Sequence, residues 1–165
     1  MKSLVHALAA SLLLLCAGML HAQDLARPLL LVAQPHLSGP YAGTALVVVP
    51  MGDKHMGFIL NRATQTSLAA AFPGHGPSKR VTDPIFFGGP EASDALFAVL
   101  QRDPGKPSIR MFGDVHMTGN GKTIDRIIEE TPNEARYFAG FVGWLPNELA
   151  KEIAAGFWLV GEADA

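Results

Sequence analysis

Short apolar runs that end near proline or glycine set the strongest limit on how this chain can fold. Leu29–Val32 is a continuous apolar run before Pro35, and it reads as a buried strand. Ala45–Val49 and Met56–Leu60 lie on either side of a turn at 51–54, which is the pattern of a hairpin. This part of the chain therefore predicts short strands joined by tight connections.

Further strands and three helices are predicted downstream by the same kinds of pattern. The strands are Pro84–Phe87, Leu96–Leu100, Ile109–Phe112, Tyr137–Val142 and Phe157–Val160. The helices run from a cap at Thr66 or Ser67 to Phe72, from Lys122 to Glu130, and from Pro146 to Ala155. Because hairpins and helices mix without a regular strand–helix alternation, we expect a single α+β domain rather than a doubly wound sheet.

The first 22 residues have the layout of a secretory signal peptide. Lys2 supplies a positive start, no charge occurs from Leu4 to Leu20, and Ala22 precedes the first polar pair. We therefore divide the chain into a signal peptide at 1–22 and one domain at 23–165, and we expect export to the periplasm. The alternative is an uncleaved membrane anchor, because the apolar run is about the minimum length that spans a bilayer.

Charge and cysteine content narrow the function classes. Lys2 is the only charged residue among the first 22, so the remaining 143 residues carry 12 basic and 15 acidic side chains. This acidic balance offers no basic footprint for nucleic acid, and membrane contact is expected only through the N-terminal segment. The single cysteine, Cys16, lies in that segment, so neither a disulfide nor thiol catalysis is expected in the domain.

Four segments carry short motifs in a fixed order along the chain. They are Leu30–Pro35, the strand end Gly57–Arg62, the Gly-Gly-Pro segment Phe86–Pro90, and Phe138–Trp144 followed by Glu148, Glu152 and Trp158. Together they resemble the motifs of the YqgE/AlgH family over almost all of residues 29–160. The resemblance implies an α+β domain with a twisted, mostly antiparallel, partly barrel-like sheet and a few short helices. It implies no established enzyme activity, although names in the family often carry the label of transcriptional regulator.

The chain departs from the family pattern in its motifs and in its setting. Ala63 stands where the family has proline, and Phe141 and Val142 stand where it has tyrosine and alanine. Typical members look cytoplasmic, whereas this chain begins with a predicted export signal. We therefore expect a divergent member that kept the fold and changed its compartment.

The motif residues supply the candidates for a ligand site. They are Asn61, Arg62, Gly88, Gly89, Pro90, Gly140, Gly143 and Trp144. Adjacent glycines can present backbone N–H groups to an anion, an arginine can pair with a carboxylate or phosphate, and a tryptophan can form an aromatic wall. The alternative for each is structural, namely a tight turn, an internal ion pair, or packing in the core.

Other chemistries have weak support in the sequence. Gly119–Thr123 resembles a phosphate-binding loop, but His116 stands where that motif needs its first glycine, so a helix-capping loop is the better interpretation. Asp114 and His116 would share one face of a strand, yet no histidine has zinc spacing, so we expect no metal and no cofactor. We predict a non-catalytic module that binds an unknown small anionic or apolar ligand or a protein partner. The alternatives are an indirect regulator of gene expression and a hydrolase that uses Asp114, His116 and Asn61.

Overall fold

Ten strands and three short α-helices build residues 24–163, the part of the chain that the computed structural model describes. The strands are β1 (Leu29–Ala33), β2 (Ala45–Met51), β3 (Lys54–Ile59), β4 (Ala63–Ser67), β5 (Pro84–Phe87), β6 (Glu91–Leu100), β7 (Ile109–Phe112), β8 (Val115–Thr118), β9 (Ala135–Trp144) and β10 (Trp158–Glu162). The helices are α1 (Leu68–Ala71), α2 (Gly121–Glu130) and α3 (Glu148–Ala154). The predicted signal peptide and Cys16 lie outside the described residues, and within 24–163 no helix is both long and apolar enough to span a bilayer.

The strands join into one curled sheet in which most neighbours are antiparallel. Its main order is β10-β1-β2-β3-β9-β6-β8-β7. The long strand β9 pairs with β3 through its C-terminal half and with β6 through its N-terminal half. Strand β5 runs parallel to β9 and carries β4 on its other side. The result is a half-barrel in a single α+β domain, as predicted.

Alternating side chains of β2 and β3 serve two different cores because successive residues of a strand point to opposite faces. Leu31, Leu46 and Val48 pack on one face with Leu149 of α3 and Trp158 of β10. The residues between them face the concave side of the sheet. There Val47, Val49 and Phe58 pack with Met111 and Met117 of β7 and β8, which the curl of the sheet brings over them.

Helix α2 covers a third core cluster and bears out its predicted amphipathic face. Ile124, Ile127 and Ile128 are all at most 4% exposed, as their spacing at i, i+3 and i+4 requires. The side chain of Asn120 accepts a hydrogen bond from the Thr123 backbone N–H at 3.1 Å and so caps the helix. The predicted helix-capping role of the glycine-rich loop is thus confirmed. At the other end, the Arg80 guanidinium donates to the last carbonyl oxygens of the helix.

The sequence patterns missed some strands and misplaced one helix start. Strands β4 and β8 and the first half of β6 were not predicted, because β4 and the start of β6 are polar and exposed and are held by backbone pairing rather than by burial. Helix α3 begins at Glu148 and not at Pro146. Asn147 before it has a left-handed φ of 67°, and the Glu148 carboxylate accepts from the Leu145 backbone N–H at 2.8 Å.

Candidate functional site

Asn61 and Arg62, two of the predicted ligand residues, contact the loop that leads into β2. The Asn61 side-chain amide donates to the Gly43 carbonyl at 2.9 Å, and its oxygen accepts from the Ala45 N–H at 3.0 Å. The Arg62 guanidinium donates to the Ala42 carbonyl at 2.9 Å. A ligand at Asn61 would have to replace both of these bonds, which hold the turn at 42–45.

The Gly88–Gly89 pair crosses β9 at Gly140 with backbone against backbone. The Gly88 N–H donates to the Ala139 carbonyl at 2.8 Å, and the Gly88 carbonyl accepts from the Ile59 N–H at 2.9 Å. A Cβ atom on Gly88 would overlap the Gly140 carbonyl oxygen, and one on Gly140 would overlap that of Gly89. Both backbone groups of Gly88 are therefore used inside the fold, and this crossing is a packing requirement for glycine.

Pro90 and Gly143 are exposed, in contrast to the three glycines of the crossing. A Cβ atom added to Gly143 would come no closer than 3.4 Å to the Phe141 ring. The structure therefore leaves room at Gly143 for a larger side chain or for a molecule that approaches from solvent. The ligand-binding role of these motif residues stays a prediction.

Trp144 lies in the core and shares a carboxylate with the second tryptophan of the chain. The indole N–H groups of Trp144 and Trp158 both donate to Oε2 of Glu152, each at 2.8 Å. The Tyr41 ring meets that of Trp158 edge-on at a centroid distance of 6.0 Å. Burial raises the pKa of the Tyr41 hydroxyl, and the carboxylates of Glu152 and Glu91 raise it further. We call Tyr41, Trp144, Glu152 and Trp158 the Glu152 cluster.

A cavity of about 380 Å³, the α2 cavity, lies between α2, β6 and the segment that follows α1. Its walls are mainly apolar, with Leu96, Ile124 and Ile128 among the lining residues. Two carboxylates, Asp94 and Asp125, also line it and are exposed to solvent. The eight predicted ligand residues are not among the described residues that line it. Sequence reasoning missed this site because its lining comes from several separate segments of the chain.

His75 and Ser78 form a hydrogen-bonded pair in the wall of the α2 cavity. The His75 Nδ1 and Ser78 Oγ atoms are 2.8 Å apart, and the Ser78 N–H donates to the His75 carbonyl at 3.1 Å. The Ser78 side chain is buried, whereas the imidazole is half-buried. The pair fixes the imidazole at the cavity wall, but the hydroxyl is not open to an incoming substrate.

In the alternative hydrolase of Asp114, His116 and Asn61, the histidine and the asparagine side chains both contact main-chain groups. The His116 Nδ1 atom lies 3.0 Å from the main-chain oxygen of Asp114, not from its carboxylate. The Asn61 amide is bonded to the loop before β2. Within residues 24–163 no group of three or more His, Cys, Asp or Glu side chains is placed to hold a metal.

Relatives of similar length are found among curated proteins. A UPF0301 protein of Chlorobium limicola is 29% identical over 147 residues, covering 85% of this chain and 77% of its own. A UPF0301 protein of Dechloromonas aromatica is 29% identical over 144 residues, covering 82% and 77%. Neither name states an activity.

Solved structures with the same fold are also found. The solution structure of the AlgH protein from Pseudomonas aeruginosa matches with a TM-score of 0.69 and 21% identity, over 89% of this chain and 82% of that one. A crystal structure of a Corynebacterium diphtheriae protein matches with a TM-score of 0.68 and 23% identity, over 84% and 76%. The family model described as "DUF179: AlgH-like" matches residues 30–165, and the chain therefore belongs to this AlgH-like family.

Proposed function

We propose that the domain is a non-catalytic binding module that holds a small amphiphilic cation in the α2 cavity. The observation that carries this proposal is the combination of apolar walls with exposed carboxylates in one cavity. A volume of about 380 Å³ lies within the range of small-molecule sites. The internal hydrogen bonds of Asn61 and Gly88 favour this cavity over the motif residues as the ligand site.

The apolar walls supply most of the affinity, and the acidic rim selects the sign of the ligand's charge. Burial of apolar surface contributes about 25 cal/mol per Å². An exposed ion pair contributes only about 0.2–1 kcal/mol. The main effect of Asp94 and Asp125 is therefore to favour a cation over an anion of similar shape, and their contribution to the total affinity is small.

Two probes that share a phenyl ring and differ in charge test the proposal. We expect 2-phenylethylammonium to raise Tm by about 3–5 °C at ten times its Kd, and phenylacetate to have a much smaller effect. The double variant Asp94→Asn, Asp125→Asn should remove this preference because it removes both rim charges. The measurement is thermal unfolding at fixed ionic strength.

Asp53→Asn is the matched control, because Asp53 is an exposed carboxylate in the β2–β3 turn and far from the cavity lining in sequence. It should leave the preference for the cation unchanged. Equal stabilisation by both probes, or a preference that survives in the double variant, would contradict the proposed site.

We also propose that the domain works outside the cytoplasm after cleavage behind Ala22. The support is the sequence of the leader, with Lys2 at its start and an uncharged run to Leu20. N-terminal sequencing of protein from a periplasmic fraction should begin at Gln23. Soluble cytoplasmic protein that retains Met1 would contradict export.

A gene-regulatory role remains the second proposal from the family label. With 12 basic and 15 acidic side chains after residue 22, the domain has no excess positive charge to attract DNA. Any such role would therefore act indirectly, through a bound ligand or protein.

A further inference from the structure

The methionines of the domain converge on one region of the concave face, although they are far apart in the sequence. Met51 ends β2, Met56 lies in β3, Met111 in β7 and Met117 in β8. Met56, Met111 and Met117 pack in the same core cluster. The other two methionines of the six, Met1 and Met19, lie in the leader. The curl of the sheet thus gathers every methionine that follows residue 23.

Three of these side chains line a single cavity of about 350 Å³, which we call the methionine cavity. They are Met51, Met56 and Met117. In the β2–β3 hairpin Met56 pairs with Val49 and Met51 with Lys54, so Met51 and Met56 are diagonal neighbours on one face. Met51 is 37% exposed, whereas Met56 and Met117 are 9% and 4% exposed, so one of the three side chains is open to solvent and two are buried.

The polar side chains around the methionine cavity already have partners. The Thr118 hydroxyl donates to the Pro107 carbonyl at 2.8 Å, and the Asn120 oxygen caps α2. The Ser108 hydroxyl lies 3.3 Å from the Asp103 carboxylate. Among the described residues that line the cavity there is no carboxylate, imidazole or amine. The thioether sulfurs are the soft donors among the described residues that line the cavity.

We propose that Met51, Met56 and Met117 bind one Cu(I) ion through their thioether sulfurs. Thioethers are soft ligands that select Cu(I) over Mg²⁺, Ca²⁺ or Mn²⁺, which need oxygen donors. Methionine has three rotatable bonds, so three such side chains that line one cavity can turn their sulfurs towards a single ion. The apolar part of the cavity wall offers no hydrogen-bonding groups that would compete with the sulfurs for the ion. A monovalent ion also buries only one charge there.

Silver(I) is the probe, because it shares the soft character of Cu(I) and is not oxidised in air. We expect the purified protein to bind one equivalent of Ag(I), with large shifts of the Met51, Met56 and Met117 methyl signals in spectra of protein labelled at the methionine methyl carbons. Met51→Leu should weaken binding at least tenfold. Leucine keeps the apolar volume and removes the sulfur, and Met51 is exposed enough that the fold should tolerate the change.

Met111→Leu is the matched control, because Met111 belongs to the same core cluster but is not among the residues that line the cavity. The affinity of the Met111→Leu variant for Ag(I) should stay within twofold of the affinity of the unaltered protein. The test should be repeated with Cu(I) under ascorbate, where the same order of affinities is expected. Absence of binding at one equivalent, or unchanged affinity in the double variant Met51→Leu, Met117→Leu, would overturn the proposal.

Discussion

Replacing Gly140 with alanine is expected to lower the free energy of unfolding by about 3 kcal/mol or more. Gly140 has a φ of 70°, a left-handed conformation that side chains disfavour. Its added Cβ would overlap the Gly89 carbonyl oxygen and come within 2.7 Å of that of Glu91. Because the obstacles are backbone atoms, relief requires the crossing between the β5–β6 connection and β9 to open.

Gly143→Ala is the control for this prediction, since Gly143 lies in the same strand and is exposed. Its Cβ would make only an ordinary contact, at 3.4 Å from the Phe141 ring. We expect a change between zero and about 1 kcal/mol in the stabilising direction, because alanine restricts the unfolded chain. Urea unfolding followed by circular dichroism measures both variants. Similar free energies for the two would show that the crossing does not depend on glycine.

Replacing Glu152 with alanine is the second change with a large expected effect, a loss of about 2–3 kcal/mol. The carboxylate accepts the indole N–H groups of Trp144 and Trp158, which are 4% and 5% exposed. Without it two buried donors lose the side-chain partner that they have among residues 24–163. Burial of an unsatisfied donor costs about 1–3 kcal/mol, and the half-buried position of Glu152 lets water replace part of the loss.

Two further measurements separate the hydrogen bonds of Glu152 from its charge. Glu152→Gln keeps an acceptor oxygen, so it should lower the free energy of unfolding clearly less than Glu152→Ala does. It should also lower the pKa of Tyr41, because it removes one of the charges that raise it.

Combining Glu152→Ala with Trp158→Phe should lower the free energy of unfolding by less than the sum of the single effects, because both changes remove the same hydrogen bond. Urea unfolding followed by tryptophan fluorescence measures the free energies. Strict additivity would refute the shared bond.

In the Glu152 cluster, the sequence motif marks the residues but does not predict their hydrogen-bond partners. One family-like motif contains Trp144, Glu152 and Trp158, and of these three it indicates only Trp144 as a ligand candidate. The local role of the motif follows from the position of α3, which places the Glu152 carboxylate against both indole N–H groups. The same holds for Asn61, where the pattern marked the residue and the fold supplied its partners in the loop before β2.

The two cavities were beyond sequence reasoning for a different reason. The α2 cavity joins residues from the segment after α1, from β6 and from α2. The methionine cavity joins the β2–β3 hairpin to β6, β8 and the loops at either end of the β7–β8 hairpin. Neither set has a spacing that a pattern along the chain can detect, because its members come together only when the sheet curls.

The sequence by itself determined the α+β class, most strands and the buried face of α2, since hydrophobic periodicity and turn residues act over short stretches of chain. It also indicated a tight turn at Gly88 and Gly89, and a bend or close backbone approach at Gly140. Only the tertiary structure decided that these glycines serve one backbone crossing, that Asn61 and Glu152 hold internal partners, and where the cavities lie. Contacts of that kind join residues distant along the chain, and they depend on the curl of the sheet, which no local pattern encodes.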